Sequence, residues 1–239
     1  LEVLYALEYT EITEVDPDAS DIIQAEAAEG GVWTNALGYT YLFDTRRNNI
    51  DTPTNFRLRF GQEFGFGDTQ FIRTTALASA ETRVLGEEVT LRATLEGGFL
   101  HYSEGASRVT DRFFLGSRLM RGFARGGIGP RDAETDDALG GNAFAVARLE
   151  AEFPIFLPEE YGVSGGAFVD YGSVWDVGDL RGLSEEDVLY DDFTPRAVAG
   201  LSLFWTTPIG PLRFNFTRPL QAEEFDRTRD FDITVATQF

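Results

Sequence analysis

Residues 54–64 read TNFRLRFGQEF. Phe56, Leu58, Phe60 and Phe64 alternate with Asn55, Arg57, Arg59, Gly61 and Glu63, so every second side chain is apolar. A repeat of two is the signature of a β-strand with two unlike faces, because successive side chains point to opposite sides of the sheet. A helix would need apolar residues every three to four positions, and this stretch does not supply them.

The same alternation recurs along the chain. Residues 1–9 place Leu1, Val3, Tyr5, Leu7 and Tyr9 together, and residues 33–43 do so for Trp33, Leu37, Tyr39, Tyr41 and Phe43. Residues 70–82 alternate less sharply, whereas 88–100 set Val89, Leu91, Ala93, Leu95 and Phe99 against Thr90, Arg92, Thr94, Glu96 and Gly98. Further on, 143–153 oppose an alanine-rich face to Arg148, Glu150 and Glu152, and 165–175 oppose Ala167, Val169, Tyr171 and Trp175 to Phe168, Asp170 and Gly172. Residues 196–206, 212–217 and 231–239 complete the series, the last with Phe231, Ile233, Val235 and Phe239 on one side. The count is about ten strands, each near the roughly 9–11 residues that a tilted strand needs to cross a bilayer.

Short connections at 65–69 (GFGDT), 207–211 (TPIGP) and the EFPIFLPEEYG region contrast with long polar segments at 11–31, 103–141 and 176–195. Tight turns on one rim and long loops on the other fit an all-β, antiparallel transmembrane barrel. A soluble β-sandwich or lipocalin-like barrel would alternate equally well. Aromatic residues at strand ends (Trp33, Phe43, Tyr171, Trp175, Trp205 and Phe239) favour the membrane barrel, where such rings form interfacial girdles. Residues 18–29 (DASDIIQAEAAE) read as a short loop helix. No linker divides the chain, and its start at Leu1, without an initiator Met or signal-like segment, suggests a piece of something longer.

Composition narrows the chemistry. The chain has no cysteine and one histidine, His101, and its formal charge is −20. Disulfides, cysteine metal sites and His-rich metal sites are thereby excluded, and so acidic a chain argues against sequence-independent nucleic-acid binding. All twenty cationic side chains are arginine. Four of them, Arg118, Arg121, Arg125 and Arg131, fall in GSRLMRGFARGGIGPRD (116–132) with five glycines. No GK[ST] follows, so this is no phosphate-binding P-loop. Arginines carried into a barrel need water or a carboxylate, and the strand faces point Glu96, Glu150, Glu152 and Asp170 inward if the apolar faces meet lipid. The loop is therefore expected to fold into the lumen, an arginine gripping the wall through its planar fork. Glu150 and Glu152, two apart on one strand face, suit a wet lumen wall better than glycoside hydrolysis, and the acidic run at 176–192 lacks the ligand spacing of a calcium loop.

Four segments in order, DRFFLGSRLMRGFARGGIGPRD (111–132), DALGGNAFAVARLEAEFP (137–154), FVDYGSVWD (168–176) and AVAGLSLFWTTPIGPLRFNFTRPL (197–220), resemble the C-terminal barrel of the BamA family of outer-membrane protein assembly factors. The likeness runs from about residue 31, through DTRRNNIDTPTNF, to Phe239. It implies a barrel of about sixteen strands whose first strands and periplasmic POTRA domains precede this chain. It also implies a long extracellular loop, 103–141, with Arg121, Gly122 and Phe123 at its tip and Glu150 and Asp170 as the arginine's partners. From the same resemblance come a bacterial outer-membrane location and a non-enzymatic role without cofactors, folding and inserting β-barrel clients through a lateral gate. The implied partners are unfolded outer-membrane clients, accessory lipoproteins, and lipid with lipopolysaccharide, but no nucleic acid. The final strand, with Phe231, Ile233, Val235, Ala236 and Phe239, carries the C-terminal signal and one side of the gate. Two positions depart from the family: Gly116-Ser117 replaces a glycine pair, and Ala236 stands where a glycine allows the last strand to kink. A TamA-like translocation module, a two-partner secretion transporter and a passive porin-like channel are the competing expectations.

Overall fold

The computed structural model describes residues 1–46, 53–182, 184–207 and 210–235, with Glu159 and Val235 described by their backbone alone. Ten strands build one antiparallel sheet in the order β1 (Glu2–Thr10), β2 (Val32–Asp44), β3 (Thr54–Gly67), β4 (Gln70–Val84), β5 (Val89–Glu104), β7 (Ala143–Pro154), β8 (Val163–Trp175), β10 (Arg196–Thr207), β11 (Gly210–Gln221) and β12 (Phe231–Val235). The two-residue strands β6 (Arg131–Asp132) and β9 (Val188–Leu189) pair separately, in the loops. Each strand of the large sheet pairs with its neighbours in sequence. Among the described residues β1 pairs only with β2, and β12 only with β11, so these two form its edges. Ala236 and Phe239 lie outside the described residues, as does the side chain of Val235.

The two faces differ in the sense that separates a membrane barrel from a soluble one. On the outer face Leu95, Leu149 and Leu201 remain 63%, 61% and 62% exposed. On the inner face Glu150, Asp170, Ser202, Asn215 and Thr217 are buried. Water would penalise such an arrangement, whereas lipid around the outside and polar contacts within stabilise it. Aromatic side chains mark the rim that follows β1 and β8: Tyr9 lies tilted against Trp33 with ring centroids 5.0 Å apart, and Trp175 meets Phe193 edge-on. Tyr171 is not at a rim, since β8 continues four residues beyond it to Trp175.

Strand direction alternates, so the segments after β1, β5, β8 and β11 share one rim. These are residues 11–31, 105–142, 176–195 and 222–230. The GFGDT turn belongs to this rim too, between β3 and β4, rather than to the opposite rim of tight turns. It stays short because Gly67 adopts φ +138° and a Cβ there would meet the Trp33 carbonyl oxygen at 2.7 Å, while the Asp68 side chain accepts from the Trp33 N–H at 2.9 Å. The opposite rim carries the turn at 85–88 and the connection from β10, which ends at Thr207, to β11, which begins at Gly210. The EFPIFLPEEYG connection also lies there, lengthened by a 3₁₀ turn at Glu159–Tyr161.

The predicted loop helix forms as α1 (Asp21–Ala28), with Ser20 as N-cap. One face packs Ile22 against Leu139, Val177 and Val188, which come from two other rim loops.

Candidate functional site

After β5 the chain turns inward. Met120 and Phe123 are fully buried, packed with Leu115, Ile128, Phe144, Val146, Val174 and Val198. Burying an aromatic ring such as Phe123 contributes roughly 1.5–3 kcal/mol and holds the loop tip at a fixed depth against the wall. Gly122 takes φ +80°, and a Cβ there would lie 2.8 Å from Val198 Cγ2 and 3.1 Å from Thr217 Cβ. Only glycine combines that backbone conformation with so close an approach.

Arg121 then faces two strands at once. Its Nε–H donates to Asp170 Oδ2 at 2.7 Å, Nη2 to Asp170 Oδ1 at 2.5 Å and Nη1 to Glu150 Oε2 at 2.5 Å. The backbone N–H of Arg121 adds a bond to Asp170 Oδ2 at 3.1 Å. The guanidinium lies 3.6 Å from the ring centroid of Phe168. All three charged side chains are buried, at 9%, 7% and 0% exposure. The sequence expectation for Arg121, Glu150 and Asp170 therefore corresponds to direct contacts, with Gly122 and Phe123 seated beside them.

Glu150 serves more than the loop. Arg213 donates to its Oε2, and Arg92 Nη1 to its Oε1 at 2.6 Å. Arg92 in turn reaches Glu81, which also accepts from Arg46. A chain of alternating charges thus runs across the inner wall from β4 to β11. Beneath the loop tip lies a cavity of about 580 Å³ whose lining includes Arg57, Arg92, Ser117, Arg118, Arg148 and Arg213. Ser117 faces this space.

Among the other candidate residues, Glu96 accepts from Arg148 at 2.6 Å and Glu152 accepts from the Ser164 hydroxyl at 2.7 Å. His101 is exposed with its ring stacked on Phe99. Arg118 and Arg125 are exposed. Arg131 is buried, bonding the Gly126 and Asp136 carbonyls.

Two fully buried ion pairs were not anticipated. Arg112 meets Glu26 of α1 at 2.5 Å, with both side chains at 0% exposure. Arg196 makes a two-pronged contact with Asp226 at 2.9 Å on each prong. A weak signal existed for the first: Glu26 falls one helical turn after Ile22, on the face that packs. For the second, strand parity pointed Arg196 inward, but nothing local indicated its partner.

The rim loops also bond to one another. The Ser20 hydroxyl donates to Asp132 Oδ2 at 2.7 Å and its N–H to Asp137 at 2.8 Å, tying α1 to the 105–142 loop. Burial alone would raise the Asp132 carboxyl, but the bonds from Ser20 and from the Thr135 and Glu134 amides hold it below the usual range. In the acidic segment 176–195, Asp191 accepts from the Val177 N–H at 2.6 Å. Its carboxyl is pushed up by burial and by the nearby charges of Asp176 and Asp192.

The chain as a whole has counterparts among known proteins. The BamA outer membrane protein assembly factor of Neorickettsia risticii is 32% identical over 98% of this chain, and that of Nitratidesulfovibrio vulgaris is 28% identical over 90%. A SAM50-like protein of Schizosaccharomyces pombe is 28% identical over 91%. The chain spans 31%, 26% and 46% of these three relatives, respectively. In fold, the crystal structure of BamA from Haemophilus ducreyi lacking POTRA domains 1–3 superposes with a TM-score of 0.70 at 22% identity, over 86% of this chain and 42% of that one. CdiB from Acinetobacter baumannii superposes less closely, with a TM-score of 0.50 at 15% identity, over 86% of this chain and 33% of that one. The Omp85 superfamily domain matches residues 1–239 without a break, and the chain therefore belongs to the Omp85 superfamily of integral outer-membrane β-barrel proteins.

Proposed function

We propose that this chain is the C-terminal, loop-bearing part of the barrel of an outer-membrane protein assembly factor, which folds β-barrel clients and inserts them into the outer membrane. The observation that carries the reading is the buried fork of Arg121 on Glu150 and Asp170, two carboxylates from adjacent strands. A passive channel gains nothing from a loop seated on the inner wall, because a plug reduces conduction. A machine that must keep its wall shaped while one edge opens gains a brace.

In this reading the work is mechanical and not catalytic. The edge strand β12 offers unpaired backbone N–H and C=O groups, and a client strand pairs with them as an added strand. Lateral release follows from the gate at that edge and from a locally thinned bilayer. Strands preceding this chain supply the other side of the gate, and periplasmic POTRA domains deliver clients. Accessory lipoproteins and the lipopolysaccharide-bearing membrane are the further partners this role carries.

The test uses the full-length protein reconstituted in lipid vesicles. The measured quantity is the rate at which an unfolded client barrel acquires heat-modifiable migration. Arg121→Ala and Asp170→Asn are expected to slow client folding at least tenfold while the protein remains inserted. Client folding at the wild-type rate in both variants would defeat the assembly reading. Unaided passage of a soluble client across the vesicle wall would favour a secretion transporter instead.

A further inference from the structure

We infer that the buried Arg196–Asp226 pair is a positioning device that links the seating of the loop tip at Arg121 to the pairing of the last strand. The inference rests on the assembly reading only for its purpose; its physical content is independent of that reading.

Arg196 is the first residue of β10, and its guanidinium is fully buried. Nε and Nη2 donate in parallel to the two oxygens of Asp226, Nη1 bonds the Thr194 carbonyl at 2.5 Å, and the plane lies 4.7 Å from the Tyr190 ring centroid. Asp226 sits midway in the 222–230 segment joining β11 to β12. Its Oδ2 also accepts from the Glu223 N–H at 2.7 Å, which closes the turn on itself. One carboxylate therefore fixes both the shape of that turn and its position on the wall.

The residues that follow Asp226 are bonded to the loop tip. The Arg227 N–H donates to the Gly127 carbonyl and its carbonyl accepts from the Ala124 N–H, each at 2.8 Å. Two residues on, the Arg229 N–H donates to the Gly122 carbonyl at 2.8 Å, next to Arg121 itself. Then Asp230 accepts from the Thr217 N–H at 2.9 Å, and β12 begins at Phe231. Within six residues the chain passes from the Arg196 anchor, along the loop tip, into the edge strand. Among the described residues, the strand from Phe231 to Val235 pairs only with β11.

Such an arrangement makes the three contacts thermodynamically linked. If the Arg196–Asp226 bond biases the strap, it biases both the clamp at Arg121 and the pairing of β12, and by linkage the clamp biases β12 in return. A fork of two parallel N–H donors is needed to hold the carboxylate in one orientation, which an ammonium does not do.

The experiment is hydrogen exchange on the full-length protein in lipid, followed by mass spectrometry. Asp226→Asn is expected to speed exchange at least tenfold in peptides covering both 122–129 and 231–235, with peptides of β3 to β5 unchanged. Arg121→Ala is expected to speed exchange at 231–235 in return. Arg196→Lys keeps the charge but not the fork, and serves as the reading variant if Asp226→Asn fails to fold. Arg196→Met with Asp226→Leu restores a buried, uncharged contact and is expected to recover part of the protection.

Faster exchange at 222–230 with β12 unchanged would overturn the inference, leaving the pair as a local anchor. So would an Arg121 variant that leaves β12 as protected as before. Neither result depends on client folding, so failure of this linkage and failure of the assembly reading are separately visible.

Discussion

Replacing Arg121 by alanine removes three of the four hydrogen bonds by which that residue holds the loop tip to the wall, and the structure says where the cost falls. Asp170 has 0% exposure, and its carboxylate is bonded by the Nε, Nη2 and backbone N–H groups of Arg121. In Arg121→Ala only the backbone donor survives, and a buried carboxylate is left without a cation. Glu150 is protected from the same fate because Arg92 and Arg213 still reach it. Breaking one side of a buried pair typically costs about 3–5 kcal/mol, or roughly two to nearly four orders of magnitude in the folded-to-unfolded ratio. The burial of the pair also means that salt screens it weakly.

The assay is denaturant unfolding of the lipid-inserted barrel, read by loss of heat-modifiable migration, for the two single variants Arg121→Ala and Asp170→Asn and for the double variant. Since the cost of each single is largely the partner left behind, the double is expected to be more stable than the sum of the singles by about 1–3 kcal/mol. Glu150→Gln is expected to cost less than Arg121→Ala, because Arg121 keeps Asp170 and Arg92 keeps Glu81. Additive singles, or an Arg121→Ala penalty under about 1 kcal/mol as for a solvated ion pair, would refute the clamp. A penalty that vanishes in about 1 M salt would refute its burial.

Three further outcomes follow from other parts of the structure. Gly122→Ala places a Cβ at φ +80° against Val198 and Thr217, and is expected to destabilise the barrel by at least about 1–3 kcal/mol from backbone strain, read by the same unfolding midpoint. Leu149→Arg puts a charge on the exposed lipid face of β7 and is expected to cost about 2–4 kcal/mol near the bilayer midplane; equal stability of both proteins in vesicles would mean the faces are assigned the wrong way round. The Asp132 carboxyl is held below its usual range, burial notwithstanding, by Ser20 and the Thr135 and Glu134 amides. Its folded pKa is thus lower than its unfolded one, so its stabilising contribution is complete above the ordinary carboxylate range and disappears as pH falls through the folded value. Spin labels on Ala28→Cys and Glu134→Cys in this cysteine-free chain are expected to separate on acidification, and Asp132→Asn should abolish that pH dependence.

The inner wall was legible in the sequence to a degree that the rim was not. Alternation places every second residue on the same face, so Glu150 and Asp170 were directed inward by parity alone, and the RGF motif supplied their partner. Parity does not tell which rim a turn occupies unless each strand is counted, which is why GFGDT was set apart from the long loops. Loops have no period at all. Arg112 meets Glu26 across 86 positions, and Arg196 meets Asp226 across 30. Both contacts join segments that meet only once the rim loops fold over the sheet, which no local pattern records. The β6–β9 ribbon is invisible for the same reason, since two residues carry no pattern.

Why the clamp takes the form of an arginine on a ring becomes clear from the strand register. Glu150 of β7 stands opposite Phe168 of β8, and Asp170 lies two residues further along β8. The two carboxylates are therefore diagonal neighbours with the Phe168 side chain between them. On its other side Phe168 pairs with Gly200 of β10, and a Cβ on Gly200 would lie 2.5 Å from its ring. The ring thus lies flat over a glycine and presents its upper face to the lumen, where the guanidinium rests at 3.6 Å. A planar cation stacked on that platform can direct its edge at both acids; a lysine could not lie flat there. Phe168→Leu keeps every charge and removes the platform, so it should cost about 1–2 kcal/mol from the lost cation–π contact, clearly less than Arg121→Ala in the same unfolding assay. A loss as large as that of Arg121→Ala would mean that the stacked ring, and not the pair of carboxylates, holds the loop.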